Sequence, residues 1–385
     1  MNLNTEILLP SCVVTHLSLI DLQSECDSSS PHTHSIFEKF KDKMKRPLSG
    51  HIRKPFLVSN FKYQETLLIR SDNSEFFEGE IPCDVKISYQ HSCILISVPE
   101  SDSIQVFDHH RGLRAFRGRI RVDQIRKPTW MCVEEDFEYG TSALILCAQS
   151  HDQVSIFKFD LKLLLLQQCK HKTILNTTTT NQSMSVESNI QPIWKFGRQL
   201  LFDPQSIILS QLVKNQLFIS DSGNDCLIIL DTTCGQQIGT VRLLEPQSLF
   251  YAPSLGLLVP KKEFIDREYL VVSEERPTLS GVKLFERSKG NGVGEWQPIE
   301  LARQIDLHNP GQMTFDSEHL FVCEPHRIQI LSFEKNHFRV IGQIGNGTPG
   351  NYTDQFNSTG GICLNELEGE LFVCDKHNDR VQIFK

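Results

Sequence analysis

The sequence predicts an all-β protein, a six-bladed β-propeller preceded by a short extension that is partly helical or disordered. Three observations carry this. Six short apolar runs align without internal gaps and recur at intervals of about 50 residues, the length of one propeller blade. After each comes a polar turn and then a second run rich in β-branched and aromatic residues, so each pair reads as a β-hairpin. Ahead of the hairpin, in five of the six units, stands a proline, at the place where a first strand begins and no ladder donor is yet needed.

Residues 1–55 come first and hold no copy of the repeat. Their most regular feature is the run from Phe37 to Lys54, with seven Lys/Arg against two acids, broken by Pro47 and Gly50; it reads as a solvated helix leading into a linker. The propeller occupies 60–385, with blade cores near 82–120, 128–168, 204–241, 246–286, 310–344 and 359–385. Each core opens on its strand-starting residue: Pro82, Pro128, Pro204, Pro246, Pro310 and, in the sixth, Thr359. The first runs of the hairpins are Ile94–Ser97, Leu144–Cys147, Leu217–Ser220, Leu270–Ser273, Leu320–Cys323 and Leu371–Cys374, with Ser or Cys in the fourth column every time. A small side chain fits there because sheets converge towards the axis and leave little volume. The second runs are Ile104–Phe107, Val154–Phe157, Leu227–Leu230, Val282–Phe285, Ile328–Leu331 and Val381–Phe384.

The interval between the second and third units is the longest. It holds Leu161 to Gln168, read as a strand, and then 169–191, a polar insertion with no apolar period that is expected to be a disordered loop. The sixth unit stops one residue after its third strand, which leaves a sheet edge in need of cover. Residues 64–70, with Leu67-Leu68-Ile69 at their centre, are expected to supply the missing outer strand and zip the two ends of the chain together.

Composition sets bounds on function. Hydrophobic residues make up 39% and charged residues 22%, enough apolar matter for a core, so a wholly disordered or fibrous chain is excluded. A net charge of −8 disfavours phosphate binding by bulk electrostatics. No stretch approaches the roughly 20 apolar residues of a spanning helix, and the N-terminus lacks a basic leader, so a soluble cytoplasmic protein without a signal peptide is expected. Twelve cysteines without a CxxC pair fit reduced thiols better than a disulfide frame or a zinc site.

The sixth unit, with Gly345-Asn-Gly-Thr-Pro-Gly350, Gln355-Phe356, Gly361-Ile362, Leu371 to Asp375, Asn378 and Arg380 to Phe384, resembles an NHL repeat, and the third unit, Leu217 to Asn224 with Leu227 to Leu230, is similar to it. As a family, NHL propellers are mostly interaction platforms, some on ubiquitin ligases of the tripartite-motif type and some binding RNA. A smaller group are lyases or lactonase-like hydrolases that hold a metal in the central channel. The resemblance therefore implies a scaffold first, with a metal-dependent enzyme and an RNA binder as alternatives.

The residues bear on that choice. Gly345-x-Gly347-x-x-Gly350 matches a dinucleotide fingerprint in letters only, because the chain runs from it into another strand and not into a helix N-terminus. Asp221, Glu274, Glu324 and Asp375 recur at one place in the repeat, where an acid commonly accepts hydrogen bonds from turn amides. Cysteines 147, 323 and 374 lie in apolar strands and are expected to be inert filler. No catalytic constellation, cofactor or metal site is expected, and the chain reads as non-enzymatic. Binding is expected on the face built by the six hairpin turns, through Asp152, Asp225, Arg276, His326, Arg327, Asp379 and Arg380. Acids there slightly outnumber bases, so the expected partner is a protein or peptide; RNA and membrane are disfavoured, and the chain is expected to be a monomer. The function expected is a protein–protein interaction scaffold, with substrate recognition in ubiquitin-dependent turnover as its family-implied form.

Overall fold

The computed structural model describes residues 61–69, 80–110, 114–137, 141–150, 153–167, 190–210, 213–242, 255–258, 267–274, 281–288, 296–301, 305–315, 319–334, 337–365 and 367–385. These form six four-stranded antiparallel sheets, the blades of a β-propeller. Strand β1 (Tyr63–Leu68) precedes the first full blade, which is β2 (Asp84–Ser88), β3 (Cys93–Val98), β4 (Ser103–Asp108) and β5 (Phe116–Ile120). The second is β6 (Met131–Glu134), β7 (Ala143–Ser150), β8 (Gln153–Asp160) and β9 (Trp194–Phe196), with a short helix, α1 (161–167), between its last two strands. The third is β10 (Pro204–Leu209), β11 (Gln216–Asp221), β12 (Cys226–Asp231) and β13 (Gln237–Arg242). Blade four is β14 (Leu255–Leu258), β15 (Arg267–Glu274), β16 (Gly281–Ser288) and β17 (Gln297–Ile299). Blade five is β18 (Met313–Phe315), β19 (His319–Glu324), β20 (Arg327–Glu334) and β21 (His337–Ile344). The sixth has β22 (Thr359–Asn365), β23 (Glu370–Asp375) and β24 (Arg380–Phe384), and its outer strand is β1.

The first strands of the blades touch one another around the ring, β2 to β6 to β10 to β14 to β18 to β22 and back to β2. Apolar clusters fill the spaces between neighbouring blades. The second strands explain why: along β3, Cys93 and Leu95 face the second blade while Ile94 and Ile96 face the sixth. A strand buried on both faces reads as an unbroken apolar run, because its period-two alternation serves two neighbours instead of core and solvent. The small fourth-column residues also join blades. Ser97 Oγ donates to the Thr129 carbonyl at 2.6 Å, from the first blade to the second, and Ser273 Oγ to the Gly311 carbonyl at 3.3 Å, from the fourth to the fifth.

β1 pairs antiparallel with β24, Leu67 opposite Val381 and Leu68 opposite Arg380. The ladder continues beyond the strands, since Lys62 and Lys385 exchange both backbone bonds at 2.9 Å.

Two elements depart from the sequence reading. The first strand of blade four is Leu255–Leu258 and does not open on Pro246: Leu255 stands opposite Val272 as Val85 stands opposite Ile96, so the proline spacing chose a place too early in the chain, and Pro246 itself lies outside the described residues. Leu161 to Gln167 is helical and not a strand. The Asp160 carboxylate accepts from the Leu163 amide at 3.0 Å, an N-cap, and Leu161 and Leu164, three apart, are the residues it buries. Five leucines and a lysine favour helix over strand, so the composition of this run carried the signal. Residues 1–55 and 168–189 lie outside the described residues. Ile190, which the sequence reading places in the insertion, packs against the cluster between the first two blades.

Candidate functional site: the hairpin-turn face

Three of the turns that join second to third strands, those of blades one, three and six, share one construction. Pro99–Ser101, Ser222–Asn224 and Lys376–Asn378 are single 3₁₀ turns, each closed by an aspartate in the left-handed region: Asp102 at φ 49°, Asp225 at φ 50° and Asp379 at φ 50°. Aspartate tolerates that conformation better than most residues. Asp225 and Asp379 are therefore explained by backbone geometry before any partner is invoked. Burial raises the Asp379 carboxyl above its ordinary range, His377 opposing the rise.

The acids that end the second strands of blades three, five and six are turned inward and hydrogen-bonded. Asp221 accepts from the Phe202 amide at 2.9 Å and from Asn224 Nδ2 at 2.7 Å. Glu324 accepts from the His308 amide at 2.7 Å and from Arg327 Nε. Asp375 accepts from the Asn357 amide at 2.7 Å, Asn378 Nδ2 at 2.8 Å, Arg380 Nε at 2.8 Å and Gln382 Nε2 at 3.0 Å. Three blades thus use one device, an acid that ties the incoming loop to the hairpin turn.

This geometry corrects part of the site expected from sequence. Arg380 is not a surface group: beyond Asp375, its Nη1 donates to the Asn351 carbonyl at 2.8 Å and its Nη2 to the Tyr352 carbonyl at 2.9 Å, and the residue is buried. Arg327 spends its Nε on Glu324 and keeps about a third of its side chain in solvent. His326 is half-buried, its Nδ1 3.3 Å from the Phe356 carbonyl. Asp225 is exposed. Asp152 and Arg276 lie outside the described residues.

The sequence reading missed the apolar groups on the same face. Leu200 and Phe202 are 57% and 69% exposed, on either side of the buried Leu201, and Tyr352 is 71% exposed. Phe202 sits against Gly223, where an added Cβ would come within 2.0 Å of both its Cδ1 and its carbonyl oxygen. Its amide is fixed on Asp221, as the Tyr352 carbonyl is on Arg380. The signal available in the sequence was the alignment of Leu201, Leu307 and Phe356, the buried residue before each saturating amide, which forces its neighbours outward.

At the axis, side chains lace this end of the ring. Gln312 of the fifth blade reaches past the fourth to the third, donating from Nε2 to the Gln205 carbonyl at 2.6 Å and accepting from Ser206 Oγ at 3.3 Å. Lys376 of the sixth blade lies over Trp130 of the second, 5.7 Å from the ring centre. Between them the buried Asp84 accepts from the Met131 amide at 2.8 Å and from Lys86 Nζ at 2.5 Å. Burial opposes the Lys86 charge, yet Asp84 beside it raises the ammonium above its ordinary value. Gly361 is required there, because a Cβ would meet Asp84 Oδ1 at 2.1 Å. Nearby thiols are quenched: burial pushes Cys147 and Cys323 up to about 12 and Cys374 well above its ordinary value.

No family model and no curated protein matches this chain. Among solved structures it is similar to an auxiliary nutrient binding protein from Bacteroides ovatus, at 10% identity and TM-score 0.54 over 85% of this chain and 76% of that one. It is also similar to a candidate phosphatase from Bacteroides thetaiotaomicron, at 11% identity and TM-score 0.53 over 85% of this chain and 79% of that one. At such identities the likeness shows the propeller fold.

Proposed function

We propose that this propeller is a non-catalytic scaffold that binds a protein or peptide on its hairpin-turn face, with Leu200, Phe202 and Tyr352 as anchors. The observation that carries the reading is a division of labour. On that face Asp221, Glu324, Asp375 and Arg380 are consumed by internal bonds, while large apolar side chains are held out to solvent on backbone fixed by bonds to Asp221 and Arg380. Aromatic groups on rigid supports are the usual source of binding energy in protein interfaces. The inward-turned acids and the laced axis support a binding role over a metal-dependent reaction in the channel, since the oxygens that would hold an ion already accept from turn donors. Resemblance to NHL repeats supports, within this reading, a role in presenting substrates for ubiquitin-dependent turnover.

The test is quantitative capture from cells with the wild-type chain and with Phe202→Ser/Tyr352→Ser. Both sites are exposed, so the variant should melt within a degree or two of wild type, an effect of roughly 0.5 kcal/mol at most. Selective loss of a set of captured proteins supports the reading; an unchanged set refutes it. Stabilisation of those proteins when the propeller is depleted would support the turnover role.

A further inference from the structure

We propose that the seam between the first and sixth blades is a pH-sensitive latch, in which a buried neutral histidine, His109, must accept a hydrogen bond for the ring to stay closed. His109 follows β4, its amide donates to the Ser92 carbonyl at 3.1 Å, and it is 2% exposed. Its Nε2 lies 3.0 Å from Asn365 Nδ2 at the end of β22. Two further bonds fix which way that amide points. Asn365 Oδ1 accepts from the Glu368 amide at 3.3 Å, and Asn365 Nδ2 donates to Glu370 Oε2 at 3.2 Å. Turning the amide over would set its oxygen against a carboxylate and its nitrogen against an N–H. The remaining hydrogen on Nδ2 therefore points at His109, and Nε2 must offer a lone pair.

Protonation would place N–H against N–H at a site enclosed by protein. The groups around the ring do not remove that conflict. Glu368 and Glu370 favour the cation, from the β22–β23 turn and β23; Arg114 and His110 oppose it, from the loop after β4. The Tyr89 ring packs edge-on at 5.7 Å from the β2–β3 turn. Burial dominates and holds His109 below its ordinary value of 6.5.

The network leads from His109 to the closing strand. Glu370 Oε2 also accepts from Arg114 Nη2 at 2.5 Å, and Arg114 Nη1 donates to Glu65 Oε2 of β1 at 2.7 Å. The folded state binds the His109 proton less readily than the unfolded chain. Its contribution is therefore full above the ordinary histidine value and is lost as pH falls through the lowered one.

Amide hydrogen exchange of the full chain, corrected for intrinsic rates and followed from about pH 7.5 to about pH 5 across the histidine range, reads the latch directly. Protection of 63–68 should fall by roughly three- to tenfold, the weight of one buried hydrogen bond, while β10 to β12 stay level. His109→Gln, which keeps a non-titrating acceptor, should remove the step. His91, on the same end of the first blade and also held below its ordinary value by burial, remains present as an internal control. A step that survives His109→Gln, or no step in wild type, overturns the proposal. If that variant does not fold, titration of the His109 imidazole by NMR decides: a midpoint at or above its ordinary value refutes the latch, and one below it that coincides with loss of β1 protection supports it.

Discussion

Blades three and six have the same four-stranded plan but different outer strands. In blade three, β13 follows β12 through a tight turn in which Asp231 Oδ1 accepts from the Thr233 amide at 2.7 Å and Gly235, at φ 70°, packs on Trp194. The strand itself is largely exposed and buries no side chain. In blade six, β1 comes from the other end of the sequence, and it is fastened by its side chains. Leu67 is buried among Val85, Phe107 and Val381, and Glu65 reaches Arg114. A strand joined by a short turn is held near its place by the chain, whereas one closed over a very long loop must offset that loop's entropy with contacts of its own. What the turn does for β13, a buried leucine and an arginine do for β1.

Arg114 offers the hardest way to break this comparison. Its side chain is enclosed between Glu65 and Glu370, with its guanidinium 5.2 Å from the Phe372 ring centre. Arg114→Met leaves Glu370 buried without its cation, and a cost of about 3–5 kcal/mol is expected in urea unfolding. Arg242→Met in β13 should cost no more than about 0.5 kcal/mol. Equal effects would mean that the seam needs no more fastening than any other blade. Adding Glu370→Gln to Arg114→Met should recover part of the loss, since the stranded charge goes with it.

Leu67 comes next. Leu67→Ala should cost about 2–4 kcal/mol, against about 0.5 kcal/mol for Ile238→Ala, the half-exposed apolar residue of β13. Thermal melts of the two variants check this, and hydrogen exchange should show the first loss concentrated in 63–68. A melt of Leu67→Ala no lower than that of Ile238→Ala would remove side-chain anchoring from the account.

How much of the molecule was legible in the sequence depends on the same physics. The propeller was legible because each second strand is buried on both faces, so its unbroken apolar run and small fourth residue survive in every copy, Ile94 to Ser97 as clearly as Leu371 to Cys374. Helix α1 was misread because a run of leucines was scored by hydrophobicity, when the Asp160 cap and the spacing of Leu161 and Leu164 decided it. The candidate site was legible only in place. That the hairpin turns form a face comes from the repeat, but whether a charge on it is free does not. Arg380 answers an acid across its own hairpin and carbonyls in a loop nearly thirty positions earlier in the chain, and Phe202 is exposed because Leu201 is not. Both facts depend on which residue the fold buries first.

The smallest expected effect sharpens the comparison at a single register position. In blade six Asp375 faces Arg380, and in blade five Glu324 faces Arg327; in blade three the residue opposite Asp221 is Cys226. With no arginine there, burial raises the Asp221 carboxyl above its ordinary 3.8, and the bonds from Asn224 and the Phe202 amide offset only part of the rise. The folded state keeps a proton that the unfolded chain has released, so this group's stabilisation is full below the ordinary value and declines as pH rises through the raised one. Urea midpoints of wild type relative to Asp221→Asn, followed upward from about pH 3, should show that decline. Cys226→Arg supplies the cation that blades five and six have and should flatten it, with a gain near neutral pH of about 1 kcal/mol. A difference that grows with pH in the wild type would show that Asp221 is held as a stabilised anion, and that blade three needs no arginine where blades five and six have one.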